Sequence, residues 1–183
     1  MGWSRAELES FAGHTIPDLI PDDLRLLFVG INPGLVSAAT GLHFARRGNR
    51  FYPALVRAGL VDTDDPAAAA EQLRDRGVGI TNLVARASAR ADELDPAELV
   101  EGRARLADLV GEHRPRVVAV AGITSFRTAF GHRAARPGRQ PDDLAGAQVW
   151  VVPNPSGLNA HENVGSLAVA YREVAVAAGV LTD

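Results

Sequence analysis

A single-domain three-layer α/β/α sandwich around a central four-stranded, mostly parallel sheet is predicted by three observations. Short apolar runs rich in Val and Ile alternate with segments carrying helix-start signals, the pattern of strands joined by crossover helices. The run Leu27-Phe28-Val29 halts at Gly30-Ile31-Asn32-Pro33-Gly34, which is turn chemistry at a strand's C-terminal edge, where open α/β sheets bind ligands. A length of 183 residues with 46% hydrophobic content fits one domain with a full core, without repeats or low-complexity tracts.

The elements follow in order. Residues 1–24 read as a leader with one short helix: Ser4 and Glu7 have capping-box spacing, and Pro17 and Pro21 break the chain before the first strand at 25–31. Residues 25–183 then make the α/β domain. Asn49 is placed to cap a helix running to about Gly59, and Asp65-Pro66 opens another that ends near Arg76-Gly77. Residues 79–84 form the second strand, with Asn82 near its edge. Asp95-Pro96 with Glu98 starts the longest helix, to about His113, and Pro115 separates it from the third strand at 116–122. Thr124 is placed to cap a short helix to Phe130, and 132–141 is a Pro/Gly/Arg loop. The fourth strand is 148–152, and a last helix covers about 164–178.

Composition excludes several chemistries. Cysteine is absent, so there is no disulfide, no thiol nucleophile and no thiolate to hold zinc or an iron–sulfur cluster. Lysine is absent too; all 19 basic residues are Arg, as a GC-rich genome favours. The only amine able to form a Schiff base is then the N-terminal one. No run of eighteen apolar residues occurs and the N-terminus lacks signal-peptide character, so a soluble, cytoplasmic protein is expected. The net charge of −3 hides an uneven distribution. Arg46, Arg47, Arg50 and Arg57 lie in one stretch without acids, and Arg127, Arg133, Arg136 and Arg139 in another, while acids concentrate at 62–75 and 92–112. Such runs are ordinarily solvated faces; here both adjoin strand-end loops, which favours one positive and one negative face.

Three motifs stand in order: Gly30-Ile31-Asn32-Pro33-Gly34, then Asn49-Arg50-Phe51-Tyr52 about seventeen residues on from Asn32, and Asn154-Pro155-Ser156-Gly157-Leu158 far downstream. Asn-Pro-Gly alone is a common turn. Together, from about residue 25 to 178, the motifs resemble the mismatch-specific uracil/thymine-DNA glycosylase family of the uracil-DNA glycosylase superfamily, with Tyr52 where the family often has Trp. The resemblance implies a DNA glycosylase of base excision repair, and the absence of lysine makes a monofunctional one the expectation. Such an enzyme flips a uracil mispaired with guanine out of double-stranded DNA and hydrolyses its N-glycosidic bond, leaving an abasic site. Ethenocytosine-like adducts and thymine are further substrates by the same resemblance, with thymine expected to be slow or uncut. No cofactor and no metal is implied; the partner is double-stranded DNA with a mismatched or damaged base, not a membrane, and a monomer is expected.

The same resemblance assigns roles. Asn32 matches the water-positioning residue: its amide can orient a water but cannot become a carboxylate base, and it can also serve the turn. Phe44 matches the aromatic that stacks on the flipped base. The backbone around Ile31 and Phe44, with Asn82, would read the base edge, although Asn82 can equally tie two loops together. Ser37 stands where the thymine-active branch carries the smaller Ala, whereas His43 matches that branch and is either a donor to the departing base or a bystander. Asn154 replaces a catalytic His of the faster uracil glycosylases. Ser156 is assigned a phosphate, Gly157 and Leu158 the wedge entering the base stack, and Gly157 and Asn159 the widowed guanine, with Arg46, Arg47 and Arg50 tracking phosphates. Asn159-Ala160-His161 departs from the Ser-Arg of many bacterial members. Two alternatives stay open: a superfamily enzyme for deaminated purines such as hypoxanthine or xanthine, and a silent module binding nucleotides or abasic DNA.

Overall fold

The computed structural model of the chain describes residues 2–183. Five strands form one mixed sheet in the order β2-β1-β3-β5-β4: β1 is Leu26–Gly30, β2 Val78–Asn82, β3 Val117–Ala121, β4 Gly138–Arg139 and β5 Gln148–Val152. β1 pairs in parallel with both β2 and β3, and β3 with β5, so their C-terminal edges share one rim. Antiparallel β4 is the correction to the expected four strands; Gly138 pairs with Val151 and Arg139 with Trp150. Two residues, one of them Gly and preceded by Pro137, carry no apolar alternation, so only pairing with β5 makes them a strand.

Helices cover both faces. α3 (Phe51–Ala58), α4 (Pro66–Asp75) and α7 (Val164–Ala177) pack on the face carrying Leu26, Phe28, Val117 and Ala119, whereas α5 (Pro96–His113) and α6 (Ile123–Phe130) cover Leu27, Val29, Val118 and Val120. Successive strand residues alternate between these two cores, as the period of two requires. Every residue of β1 and β3 is buried, which is why their sequences are continuous apolar runs.

The helix starts follow their caps. α1 (Arg5–Glu9) has the Ser4/Glu7 capping box, the Asp65 carboxylate accepts from the Ala68 N–H before α4, and the Glu98 carboxylate takes the Asp95 N–H before α5. Three details differ from the expected pattern. α2 (Leu35–Thr40) follows Pro33-Gly34 directly and has no side-chain cap that would announce it. α3 starts one residue later than Asn49 would place it, with the Asn49 side-chain Oδ1 accepting from the Phe51 N–H at 2.9 Å. α6 begins from Gly122, with Thr124 already inside the helix.

Before β1, Leu19 forms an antiparallel bridge with Ile80 of β2 and is buried. An aromatic column then runs from the core to the rim. Phe28 meets Tyr171 and Phe51 edge-on at 5.2 and 5.3 Å, and Phe44 stacks on Phe51 at 4.1 Å. Fully burying one such ring contributes about 1.5–3 kcal/mol, so the platform beneath Phe44 is anchored in fully buried core.

Candidate active site

A cavity of about 390 Å³ opens at the C-terminal rim of the sheet. It brings together Ile31, Asn32, Ser37, His43, Phe44 and Asn82 with Arg46, Asn154, Ser156 and Leu158. Gly157, Asn159, Arg47 and Arg50 do not line it.

Asn32 ends the first loop with a hydrogen-bond pattern that determines which amide atom faces the cavity. Its Nδ2 donates to the Arg86 carbonyl at 3.0 Å and to Ser88 Oγ at 2.8 Å. Ser88 Oγ itself donates to the Arg90 carbonyl, so it can only accept from Asn32. Both Nδ2 protons are therefore used, and Oδ1 remains as an acceptor. Arg86 is anchored by Glu98, whose carboxyl is held at about 2 by the Arg86 hydrogen bonds first and the Asp95 N–H second. Arg86 and Ser88 are site residues that the sequence did not reveal; nothing in a serine six residues past Asn82 announces that it touches residue 32.

The base-edge candidates are equally constrained. His43 is buried, with Nε2 on the Pro17 carbonyl at 2.9 Å and Nδ1 3.4 Å from Asn82 Nδ2. A carbonyl accepts only from N–H, and an amide NH₂ only donates, so His43 is the neutral Nε2–H tautomer. Burial lowers its pKa, and the Pro17 hydrogen bond opposes this. Neither ring nitrogen is left to donate to a departing base, which differs from the donor role expected of His43: its two nitrogens meet the Pro17 carbonyl and the Asn82 amide. The Asn82 Oδ1 is left over Gly30, where a Cβ would come within 2.5 Å of it and 3.2 Å of the Phe44 ring. Only Gly fits there.

Phe44 adopts φ 53°, which turns its ring onto Phe51 and leaves it half-buried at the cavity wall. Tyr52 Oη donates to the His43 carbonyl at 2.8 Å, and burial pushes the phenol well above its usual range, so it stays a donor. Ser37 is 4% exposed, with Oγ accepting weakly from the Ala45 N–H at 3.4 Å. The Ile31 carbonyl accepts from the Val84 N–H.

The second loop is bonded mainly to itself. The Asn154 Oδ1 accepts from the Ser156 N–H at 2.9 Å, which leaves its Nδ2 free at the cavity, and the Ser156 Oγ accepts from the Leu158 N–H. The Asn159 N–H donates to the Ser156 carbonyl and its Nδ2 to the Asn154 carbonyl, so Asn159 closes the loop and its backbone N–H is already used. Arg50 also differs from expectation. Its guanidinium donates to the carbonyls of Ser156 (2.5 Å), Asn159 (2.6 Å) and Glu162, so it clamps this loop instead of facing phosphates. A Cβ on Gly157 would lie 2.7 Å from the Gly48 carbonyl, so the two loops meet backbone to backbone. Leu158 stands at the tip, 78% exposed. Arg46 and Arg47 are exposed and, among the described residues, have no carboxylate within salt-bridge distance.

Among the described residues no group of three or more His, Cys, Asp or Glu is arranged to hold a metal, and no helix is long and apolar enough to cross a membrane. The fold and site define an α/β/α domain whose rim cavity joins two Asn-bearing loops, an aromatic platform and an exposed apolar tip. A family model described as the uracil DNA glycosylase superfamily matches residues 17–175, and the chain belongs to that superfamily, a class of DNA glycosylases. A solution NMR structure from Methanosarcina acetivorans, provisionally named a uracil DNA glycosylase, has the same fold. Its TM-score is 0.61 at 15% identity, over 88% of this chain and 98% of that one.

Proposed function

We propose that this chain is a monofunctional glycosylase that hydrolyses uracil from U·G mispairs in duplex DNA. The observation that carries the reading is the Asn32 amide, whose Nδ2 is tied to Arg86 and Ser88 so that Oδ1 remains as an acceptor. In the proposed step the C1′–N bond breaks and its electron pair leaves with the base. A water held by Asn32 Oδ1 adds its oxygen to C1′, and the water's proton passes to solvent. The products are the free base, protonated from solvent, and a C1′-hydroxyl abasic sugar. No lysine exists to take the place of water by forming a Schiff base.

An amide accepts a hydrogen bond from water but does not take its proton, and general-base assistance is worth about 10²–10⁴-fold, so slow chemistry is expected. Substrate choice follows from the same cavity. Asn82 Oδ1 is an acceptor that matches the N3–H of uracil and would repel the unprotonated N3 of cytosine. Buried Ser37 supports a tight fit around the pyrimidine, with uracil ahead of thymine. Leu158 supports mismatch preference, because filling the vacated stack offsets an unstacking cost that is smallest at a mispair.

Duplexes each carrying one altered base, under single-turnover conditions with enzyme in excess, test the reading by detection of the free base. Release of uracil, faster from U·G than from U·A, is expected. Preferential release of hypoxanthine or xanthine would make the chain a purine enzyme, since N1–H of hypoxanthine also suits Asn82 Oδ1. Binding without release of any base would make it a silent module.

A further inference from the structure

We propose that the β4 edge of the sheet is a second phosphate-contact surface, which grips the duplex on the side of Leu158 away from the cavity. The inference rests on the DNA-glycosylase reading and deepens it by extending the footprint. A second cleft, of about 520 Å³, shares Ile31, Asn154, Ser156 and Leu158 with the first cavity and is lined also by Pro137 and Glu162. The exposed tip therefore stands between two depressions, so duplex threaded over Leu158 meets the 132–139 segment next.

That segment is built to present charge. Arg133, Arg136 and Arg139 are exposed and, among the described residues, have no carboxylate within salt-bridge distance. No acid occurs in the sequence between Glu112 and Asp142. Two groups beneath the segment hold its backbone: Arg127 donates twice to the Ala135 carbonyl, at 3.0 and 2.6 Å, and buried Gln140 donates to the carbonyls of Arg136 and Gly138. Pairing of Gly138 with Val151 fixes its height near the rim. Three unpaired guanidiniums on an immobilised backbone suit fixed, closely spaced anions, the phosphates of one DNA strand, better than a mobile partner. Arg46 lines the first cavity and Pro137 the second, so each basic stretch adjoins one of the two depressions that share Leu158.

The test compares wild type with the triple variant R133A/R136A/R139A; Arg127 and Gln140 stay, because they hold the backbone. Two uracil-containing duplexes of equal length carry the lesion near one end or near the other, so that only one reaches past the tip. On that duplex the triple variant is expected to bind roughly tenfold or more weakly near 0.1 M salt, with the slope of log affinity against log salt reduced by about 0.9 per phosphate lost. The other duplex should be bound as by wild type, single-turnover excision at saturating enzyme should be unchanged, and the corresponding triple Lys variant should restore the slope. Unchanged affinity and slope on both duplexes would overturn the proposal, as would equal losses on both, which mark a general charge effect. Wild type that binds neither duplex would overturn the DNA reading itself, an outcome distinct from the loss of this surface alone.

Discussion

The two loops that meet over the cavity are held in opposite ways. Asn32 in the first loop is fastened by partners far along the chain, Arg86 and Ser88, and the fastening leaves one acceptor atom aimed outward. The second loop closes on itself through Asn154, Ser156 and Asn159, is clamped from outside by Arg50, and displays an apolar tip with almost no contacts of its own. The first arrangement orients a single polar atom, as hydrolysis requires. The second keeps a shape, as intercalation requires. Mutations in the two loops should therefore fail differently, in chemistry for the first and in flipping for the second.

The largest effect is expected at Asn32. Asn32→Ala should cost about 10²-fold or more in single-turnover excision, the scale of a misplaced reacting group, while mismatch binding stays within a few-fold of wild type. Weakened binding of the same magnitude would erase the distinction between the loops. At the tip, Leu158→Ala forfeits burial worth about 1.5–3 kcal/mol, roughly ten- to a hundredfold, and should hurt paired U·A more than U·G. Excision from single-stranded DNA, where no base must leave a duplex, should hardly change. Arg50→Ala should reproduce that pattern if its three carbonyl contacts matter by holding the tip. Equal losses on single-stranded and duplex substrates for either variant would count against a wedge.

A smaller, pH-dependent effect sharpens the picture of the base pocket. The folded His43 has a lowered pKa, so between that value and the ordinary value near 6.5 the unfolded chain binds more protons. Stability and activity should then both rise with pH through this window and fall as acid protonates the ring and removes the acceptor of the Asn82 amide. His43→Asn should remove this acid limb from Tm and from excision alike. A limb that persists belongs to another group.

Much of this was legible in the sequence where local chemistry dictates structure. The runs of β1 and β3, the capping boxes at Ser4 and Asp95, and the turn after Gly30 all announce themselves over a few residues. β4 did not, because its two residues are a strand only by pairing with β5. The site divides along the same line. Asn32, Phe44, Asn82 and Asn154 belong to recognisable loops and do share the cavity. Arg50 looked like one more member of a basic run, because a linear charge pattern does not reveal that three carbonyls from residues 156–162 surround its guanidinium. His43 was likewise allowed a free donor, which a hydrogen bond to the Pro17 carbonyl has taken. Ser88 was invisible, since its importance lies in a partner 56 residues away.

A double-mutant cycle between Asn32 and Ser88 tests the central claim most directly. Single-turnover release of uracil from one U·G duplex would be measured for wild type, Ser88→Ala, Asn32→Ala and the double variant, with binding followed in parallel. Losing one hydrogen bond worth about 0.5–1.5 kcal/mol should slow Ser88→Ala roughly two- to tenfold. If Ser88 acts by aiming the Asn32 amide, its removal from Asn32→Ala should cost nothing further, so the double variant should match Asn32→Ala. Losses that multiply, or an Asn32→Ala variant within a few-fold of wild type, would contradict the account.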